Sequence, residues 1–364
     1  MHQRVYTADR VPARVVALAV ALAAALAGCD RQEVTPPWDW QLPAELAPPP
    51  VPPDNPMTAA KVALGRRLFY EPRLSLNGSQ SCASCHFQRN GFAAPVAHPI
   101  GSTGETLAHN APGLANVAYY RAYTWASHLL TTLERQIVVP MFADSPVELG
   151  LSGNEHVAYE RLAAQPRYQL WFAAAFPGED APINTRNVVR ALACFVRSLT
   201  STDAPYDRYL RGDRGALSPA ATRGLALFFG DRLGCAGCHS GRNLSAAAPV
   251  GGEPRAAMFF ATGMADDSDT GLFALTRKPA DKGRFRVPSL CNVAVTAPYF
   301  HDGSAATLAE AIGRYEHRTG AARDPRLRQF TLSDGERRDL IAFLQSLTDT
   351  TFLTNPRLSD PFAH

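Results

Sequence analysis

Two runs, Cys82-Ala83-Ser84-Cys85-His86 and Cys235-Ala236-Gly237-Cys238-His239, each place two thiols three residues apart with an imidazole directly behind the second. That spacing suits covalent attachment of a c-type haem: the thiols add to the two vinyl groups while the adjacent His reaches iron from the proximal side. Structural zinc sites also use paired cysteines, but they have no need of a His immediately after the second Cys, and here the pattern occurs twice. The motifs therefore predict two covalently bound c-type haems. One is held by Cys82, Cys85 and His86, the other by Cys235, Cys238 and His239.

The surroundings of the two motifs repeat as well, the mark of an internal duplication. Gly65-Arg66-Arg67-Leu68-Phe69 lies on a helical pattern starting near Thr58, and Gly224-Leu225-Ala226-Leu227-Phe228 on one opened by Ser218-Pro219. Downstream, Pro112-Gly113-Leu114-Ala115-Asn116-Val117-Ala118 answers Pro288-Ser289-Leu290-Cys291-Asn292-Val293-Ala294, and Thr132-Leu133-Glu134 answers Thr307-Leu308-Ala309-Glu310. Strand signals are weak throughout. The expected fold is mainly α, with two homologous cytochrome c-like haem domains over residues 57–215 and 216–350, and a tail over 351–364.

The halves differ at one informative place. Seven residues beyond Leu133 stands Pro140, and seven beyond Leu308 stands Tyr315. If the repeat extends this far, both positions lie over the distal face of their haem. Proline has no atom that can ligate iron, whereas a tyrosine phenolate can. The first haem is then expected to be open to a small ligand such as hydrogen peroxide, and the second closed by Tyr315. Met258, Met264, His301 and His317 are the other candidates for the second iron, and His98 or His109 for the first.

The N-terminus carries Arg4, Arg10 and Arg14, an apolar run from Val15 to Leu26, and then Leu26-Ala27-Gly28-Cys29. This is the layout of a signal peptide too short to span a bilayer, ending at a lipobox cysteine. It predicts a lipoprotein signal peptide over residues 1–29 that is cleaved at Cys29 to leave this residue as the acylated new N-terminus, a periplasmic location, and contact with the membrane only through that anchor, or a soluble periplasmic protein if the lipobox is unused. Residues 30–56 hold nine prolines and read as a semi-extended spacer. A formal net charge of only +3 with scattered arginines argues against a nucleic-acid partner. Outside the haem motifs and Cys29, Cys194 and Cys291 remain, free to pair or to stay as thiols in an oxidising compartment.

The signatures Phe285-Arg286-Val287-Pro288-Ser289-Leu290 and Thr296-Ala297-Pro298-Tyr299-Phe300-His301-Asp302-Gly303, with Leu133-Glu134-Arg135-Gln136 and Pro140, resemble the bacterial dihaem cytochrome c peroxidase and MauG family over about residues 57–350. The resemblance implies a peroxide-reactive N-terminal haem and a C-terminal haem that handles electrons. Peroxidases of the family use a Met ligand where this chain has Tyr315, fourteen residues after His301, and in this the chain is similar to the MauG and MbnH branch. The loop that holds a removable distal His in the peroxidases reads Gly101-Ser102-Thr103-Gly104 here. Two departures from the family pattern are Cys291, where Arg is usual, and two extra residues between Pro140 and Glu148.

By the same resemblance, Gln136 and Glu148 belong to the distal pocket of the first haem, with Glu148 as acid or base. Trp125 matches the tryptophan that relays electrons between the haems. Asn110, with the backbone oxygens of Thr296 and Pro298, matches a calcium site whose carbonyl and amide donors suit that hard cation. The implied activity is peroxide-dependent oxidation of a tryptophan on a periplasmic or secreted partner protein through a high-valent haem state. Two competing readings are a peroxidase drawing electrons from a small redox protein, and a dihaem electron carrier without enzymatic activity.

Overall fold

The computed structural model describes residues 38–248, 258–264, 269–317 and 324–363. The expected signal peptide, Cys29 and residues 30–37 of the spacer lie outside the described residues. Among those described the chain is mainly helical: α1 (Ala59–Phe69), α2 (Leu133–Phe142), α3 (Glu155–Ala163), α4 (Pro166–Ala175), α5 (Thr185–Arg197), α6 (Pro205–Leu210), α7 (Pro219–Phe229), α8 (Phe273–Thr276), α9 (Leu308–Glu316), α10 (Asp334–Gln345) and α11 (Thr350–Thr354). One short antiparallel ribbon pairs β1 (Phe259–Ala261) with β2 (Arg284–Arg286), in the register Phe259 to Arg286. No helix among the described residues is long and apolar enough to cross a membrane.

The repeat is visible in the packing. In the first half α1 crosses α5, and in the second α7 crosses α10. A Cβ on Gly65 would sit 1.9 Å from Ala191 O and 2.9 Å from Phe195 Cβ; on Gly224 it would sit 1.9 Å from Asp339 O and 2.9 Å from Phe343 Cβ. Only glycine allows backbones to approach this closely, which explains the Gly-x-x-Leu-Phe pattern. Each crossing is sealed by aromatics, Phe69 against Phe195 and Phe228 against Phe343. The caps repeat too: Thr132 Oγ1 accepts from Arg135 N at the head of α2, and Thr307 Oγ1 from Glu310 N at the head of α9.

Asn116 and Asn292 occupy equivalent left-handed positions, at φ 57° and 61°. Asn116 N donates to Leu199 O and its Oδ1 accepts from Ser201 N; Asn292 N donates to Leu347 O and its Oδ1 accepts from Asp349 N. The two networks join across the molecule, since Asn292 Nδ2 donates to Ser201 Oγ and Ser201 Oγ donates to Asp349 Oδ2. The halves therefore belong to one compact unit from Trp38 onward.

Two terminal segments depart from expectation. From Trp38 the proline-rich stretch is no free spacer: Trp38 and Trp40 pack on the first core, and Asn55 is fully buried, donating to Glu134 Oε1 and Arg190 O. The tail crosses back to the first half, where Phe352 and Leu358 are buried and Gln88 Nε2 donates to the oxygens of Phe352 and Asn355. In the tail buried apolar side chains outweigh the cost of ordering an irregular backbone, and in residues 38–56 the partly buried tryptophans and the Asn55 hydrogen bonds do so. Cys194 and Cys291 do not pair; Cys194 Sγ donates to Asn55 Oδ1, and Cys291 Sγ accepts from Asn116 Nδ2.

Candidate haem sites

The first Cys-x-x-Cys-His run folds as a short 3₁₀ turn, Cys82–Ser84, that presents both thiols and His86 to a cavity of about 430 Å³. His86 Nδ1 donates to Phe92 O at 2.6 Å, which fixes the tautomer and leaves Nε2 as the donor for a metal. Burial pulls the His86 pKa down, against hydrogen bonds to the Phe92 and Pro112 backbone oxygens, which favours the neutral ring that a metal ligand needs. The second motif repeats this: Cys235–Gly237 forms a 3₁₀ turn, His239 Nδ1 donates to Leu244 O at 2.9 Å, and the cavity, about 240 Å³, is lined by Cys235, Cys238 and His239. Desolvation pushes the Cys82 thiol up to about 12 and Cys85 and Cys238 to about 11, as for uncharged groups in an apolar slot. Each cavity thus offers two thiols, one oriented imidazole and apolar walls, and the residues present fit a covalent haem.

Over the first cavity, α2 presents Leu133, Gln136, Ile137 and Pro140, the i, i+3, i+4, i+7 face of a helix. Gln136 Oε1 is buried without a protein hydrogen-bond partner. Glu148 comes from the loop behind α2, and burial raises its pKa from 4.5 to about 7. The Gly101-Ser102-Thr103-Gly104 loop supports that carboxylate's backbone: Ser102 N donates to Glu148 O at 2.7 Å, and a Cβ on Gly101 would sit 1.7 Å from Val147 O. His98 does not line the cavity, and its Nδ1 lies 3.1 Å from Leu107 O. His109 does line it, but its Nε2 is bonded to Asp269 Oδ2 at 2.6 Å.

Over the second cavity α9 presents the same face, Leu308, Ala311, Ile312 and Tyr315. Tyr315 therefore stands where Pro140 stands in the first half. Of the other candidates, Met258, Met264 and His317 are absent from the described lining. Met258 is buried in a separate cluster with Ala122, Phe259 and Leu272. His301 does line the cavity, with its ring stacked on Phe285 at 3.6 Å and its Nε2 3.5 Å from Asp269 Oδ2.

Trp125, Asn110 and Arg286 line both cavities and form their common wall. Trp125 Nε1 donates to Asn110 O at 2.7 Å, and Arg286 N donates to Trp125 O at 2.8 Å. The Arg286 guanidinium is buried 5.5 Å from the Trp125 ring and 5.2 Å from the Tyr120 ring, and Nε donates to Thr124 O. Arg286 has no separate role in the sequence reading; its one signal there is its place in the Phe285–Leu290 signature. Asn110, Thr296 and Pro298 meet along the second cavity, and Asn110 Nδ2 donates to Val96 O, so a cation there would have to use the amide oxygen. Among the described residues no group of three His, Cys, Asp or Glu side chains could hold a metal ion, so a cation here must rely on neutral oxygens.

Fold and cavities together define a dihaem c-type cytochrome. A family model described as di-haem cytochrome c peroxidase matches residues 59–215, and one described as cytochrome c matches 221–348. The chain is 36% identical to the methylamine utilization protein MauG of Methylorubrum extorquens, with 85% of this chain and 84% of the relative covered. It is 35% identical to cytochrome-c peroxidase IdrP1 of Denitromonas iodatirespirans, over 86% and 87%. A solved structure titled as a MauG-like protein associated with microbial copper homeostasis superposes with a TM-score of 0.85 at 40% identity, over 90% of this chain and all of that one. The chain belongs to the dihaem cytochrome c peroxidase and MauG family of oxidoreductases, and carries two c-type haems.

Proposed function

We propose that this oxidoreductase uses hydrogen peroxide to oxidise a tryptophan on a partner protein, with Cys82, Cys85 and His86 holding the first haem and Cys235, Cys238, His239 and Tyr315 the second. The observation that carries this reading is the replacement of Pro140 by Tyr315 at equivalent cavity-facing positions of α2 and α9. When bound, the haems would supply iron that exchanges single electrons and, on the α2 face of the first site, reacts with peroxide. Pro140 keeps that face clear of ligating atoms, while Gln136 can donate through Nε2 toward it. Glu148, balanced near neutrality, takes and returns the peroxide proton. Tyr315 offers an anionic oxygen that favours oxidised iron over reduced. Trp125, held by Asn110 O, is the aromatic group between the two sites.

Calcium at Asn110 Oδ1 and the carbonyls of Thr296 and Pro298 would brace this wall; a chelator should then loosen the contact between the haem sites and shift their spectra. Acylation at Cys29 would tether the protein on the periplasmic side of a membrane, and mass analysis of the mature N-terminus tests it.

A second reading, peroxide reduction with electrons from a small redox protein, is favoured by the near-equal identity to cytochrome-c peroxidase IdrP1. The two are separated by presenting the ferric protein and peroxide with either N-acetyl-tryptophanamide or a reduced cytochrome c, with EPR spectra recorded before and after. The proposal expects one high-spin and one low-spin haem, oxidised indole product, and loss of that product in Tyr315→Phe. Rapid turnover with the cytochrome alone, unaffected by Tyr315→Phe, would establish the second reading.

A further inference from the structure

We infer that Glu316 and Arg337 are positioning residues that lock Tyr315 in register with the second haem, an inference that rests on the ligand role proposed above for Tyr315. Each helical residue turns by about 100°, so the residue after Tyr315 faces away from the cavity and toward α10. Glu316 is buried there, 4% exposed, at the last turn of α9. Three separate contacts converge on it: Oε1 accepts from Leu332 N at 2.8 Å, Oε2 lies 2.6 Å from Arg337 Nη1, and its backbone oxygen accepts from Gln329 Nε2 at 3.0 Å. All three partners belong to the segment that leads into α10 or to α10 itself.

The duplication supplies an internal control. At the position equivalent to Glu316 the first half has Met141, buried at 1% exposure beside Pro140. The Met141 side chain is apolar and lines the first cavity, only its backbone oxygen accepts a hydrogen bond, from Leu151 N, and the residue before it has no ligand to aim. The halves thus differ at two successive positions, Pro140-Met141 against Tyr315-Glu316, and the second difference accompanies the first. A buried carboxylate matched to one guanidinium and one backbone N–H tolerates little displacement, because any shift strands a charge out of water. An apolar contact in its place would let α9 slide or rotate. The clamp therefore restricts the rotation of α9 that would carry the phenol oxygen off the cavity axis.

The test compares the ferric holoprotein with Glu316→Met, Glu316→Gln, Arg337→Gln and Arg337→Lys, using EPR and resonance Raman spectra of the phenolate. Tyr315→Phe sets the spectrum of complete ligand loss, and Arg223→Ala, which breaks the exposed pair to Asp339 on the same helix, controls for general weakening of α10. The expected result is loss of most of the phenolate signature and conversion of the second haem toward high spin in Glu316→Met and Arg337→Gln. Partial retention is expected in Glu316→Gln, recovery in Arg337→Lys, and no change in Arg223→Ala or in the first-haem signals. Folded Glu316→Met and Arg337→Gln proteins with a full phenolate signature would overturn the inference. Should Glu316→Met fail to take up haem, the near-isosteric Glu316→Gln and Arg337→Gln decide by the same criterion. A wild-type protein without any phenolate signature would instead overturn the ligand role of Tyr315 on which the inference rests.

Discussion

Trp125 Nε1 donates a 2.7 Å hydrogen bond to Asn110 O, and the same two residues line both haem cavities. The indole is therefore fixed in orientation between two redox sites, with the Arg286 guanidinium 5.5 Å from its ring. A group built to pass an electron needs that fixity, since each change of geometry adds to the barrier.

Trp125→Phe keeps an aromatic ring in the wall but removes the donor and raises the cost of oxidising the group. Electron equilibration between the haems, followed by stopped-flow absorbance after partial reduction, should slow by at least about tenfold, equal to about 1.4 kcal/mol of barrier. Unchanged equilibration would show that the path runs elsewhere.

Glu148 should govern the pH dependence of the peroxide reaction. Burial raises its pKa to about 7, so the carboxylate form that can accept the peroxide proton is populated above neutrality. The rate should rise with pH through a single inflection near 7. Glu148→Gln should remove the inflection and lower the rate by about a hundredfold or more. The same shift has a stability consequence of opposite sense: a folded pKa above the unfolded value of 4.5 means that stability is full below 4.5 and declines as pH rises to about 7. Denaturant titrations of Glu148→Gln should show that decline flattened.

Asp349 acts at the acid end. Burial alone would raise its pKa, but hydrogen bonds from Thr351, the Asp203 and Phe352 backbone N–H groups and Ser201 outweigh it and hold the pKa below 3.8. A depressed pKa contributes stability that is present above the ordinary carboxylate value and is lost as pH falls through the folded one. Asp349→Asn should cost about 1–3 kcal/mol near neutrality, measured by denaturant unfolding, and should shallow the acid limb. An unaltered acid limb would place the proton-linked step at another carboxylate.

The helix crossings should be intolerant of a single methyl group. Gly65→Ala and Gly224→Ala each place a Cβ 1.9 Å from a carbonyl oxygen. Each should destabilise by at least about 3 kcal/mol or abolish haem incorporation. Calorimetry of the holoprotein checks this, and similar losses in the two variants are expected because the geometries match.

Much of the site could be read from the chain because its chemistry is local. The three-residue thiol spacing, the His behind it and the Thr132 and Thr307 caps are set by short stretches of backbone, and the repeat exposes Pro140 against Tyr315 by counting alone. The packing of residues 38–56 was not legible: prolines signal stiffness, while the burial of Asn55 depends on Glu134 and Arg190, 79 and 135 residues further along the chain. Nor was the clamp on Tyr315, since Glu316 and Arg337 look like ordinary solvated charges until α9 and α10 pack.

Residue type and near-neighbour spacing carry the cofactor chemistry, the duplication and the contrast of Pro140 with Tyr315 at equivalent helix positions. Long-range packing sets the rest: that Trp125, Asn110 and Arg286 form one wall, that Cys194 and Cys291 stay unpaired, and that Phe352 and Leu358 return to the first core. Those outcomes depend on where distant segments cross, and crossing is governed by how whole surfaces fit and exclude water.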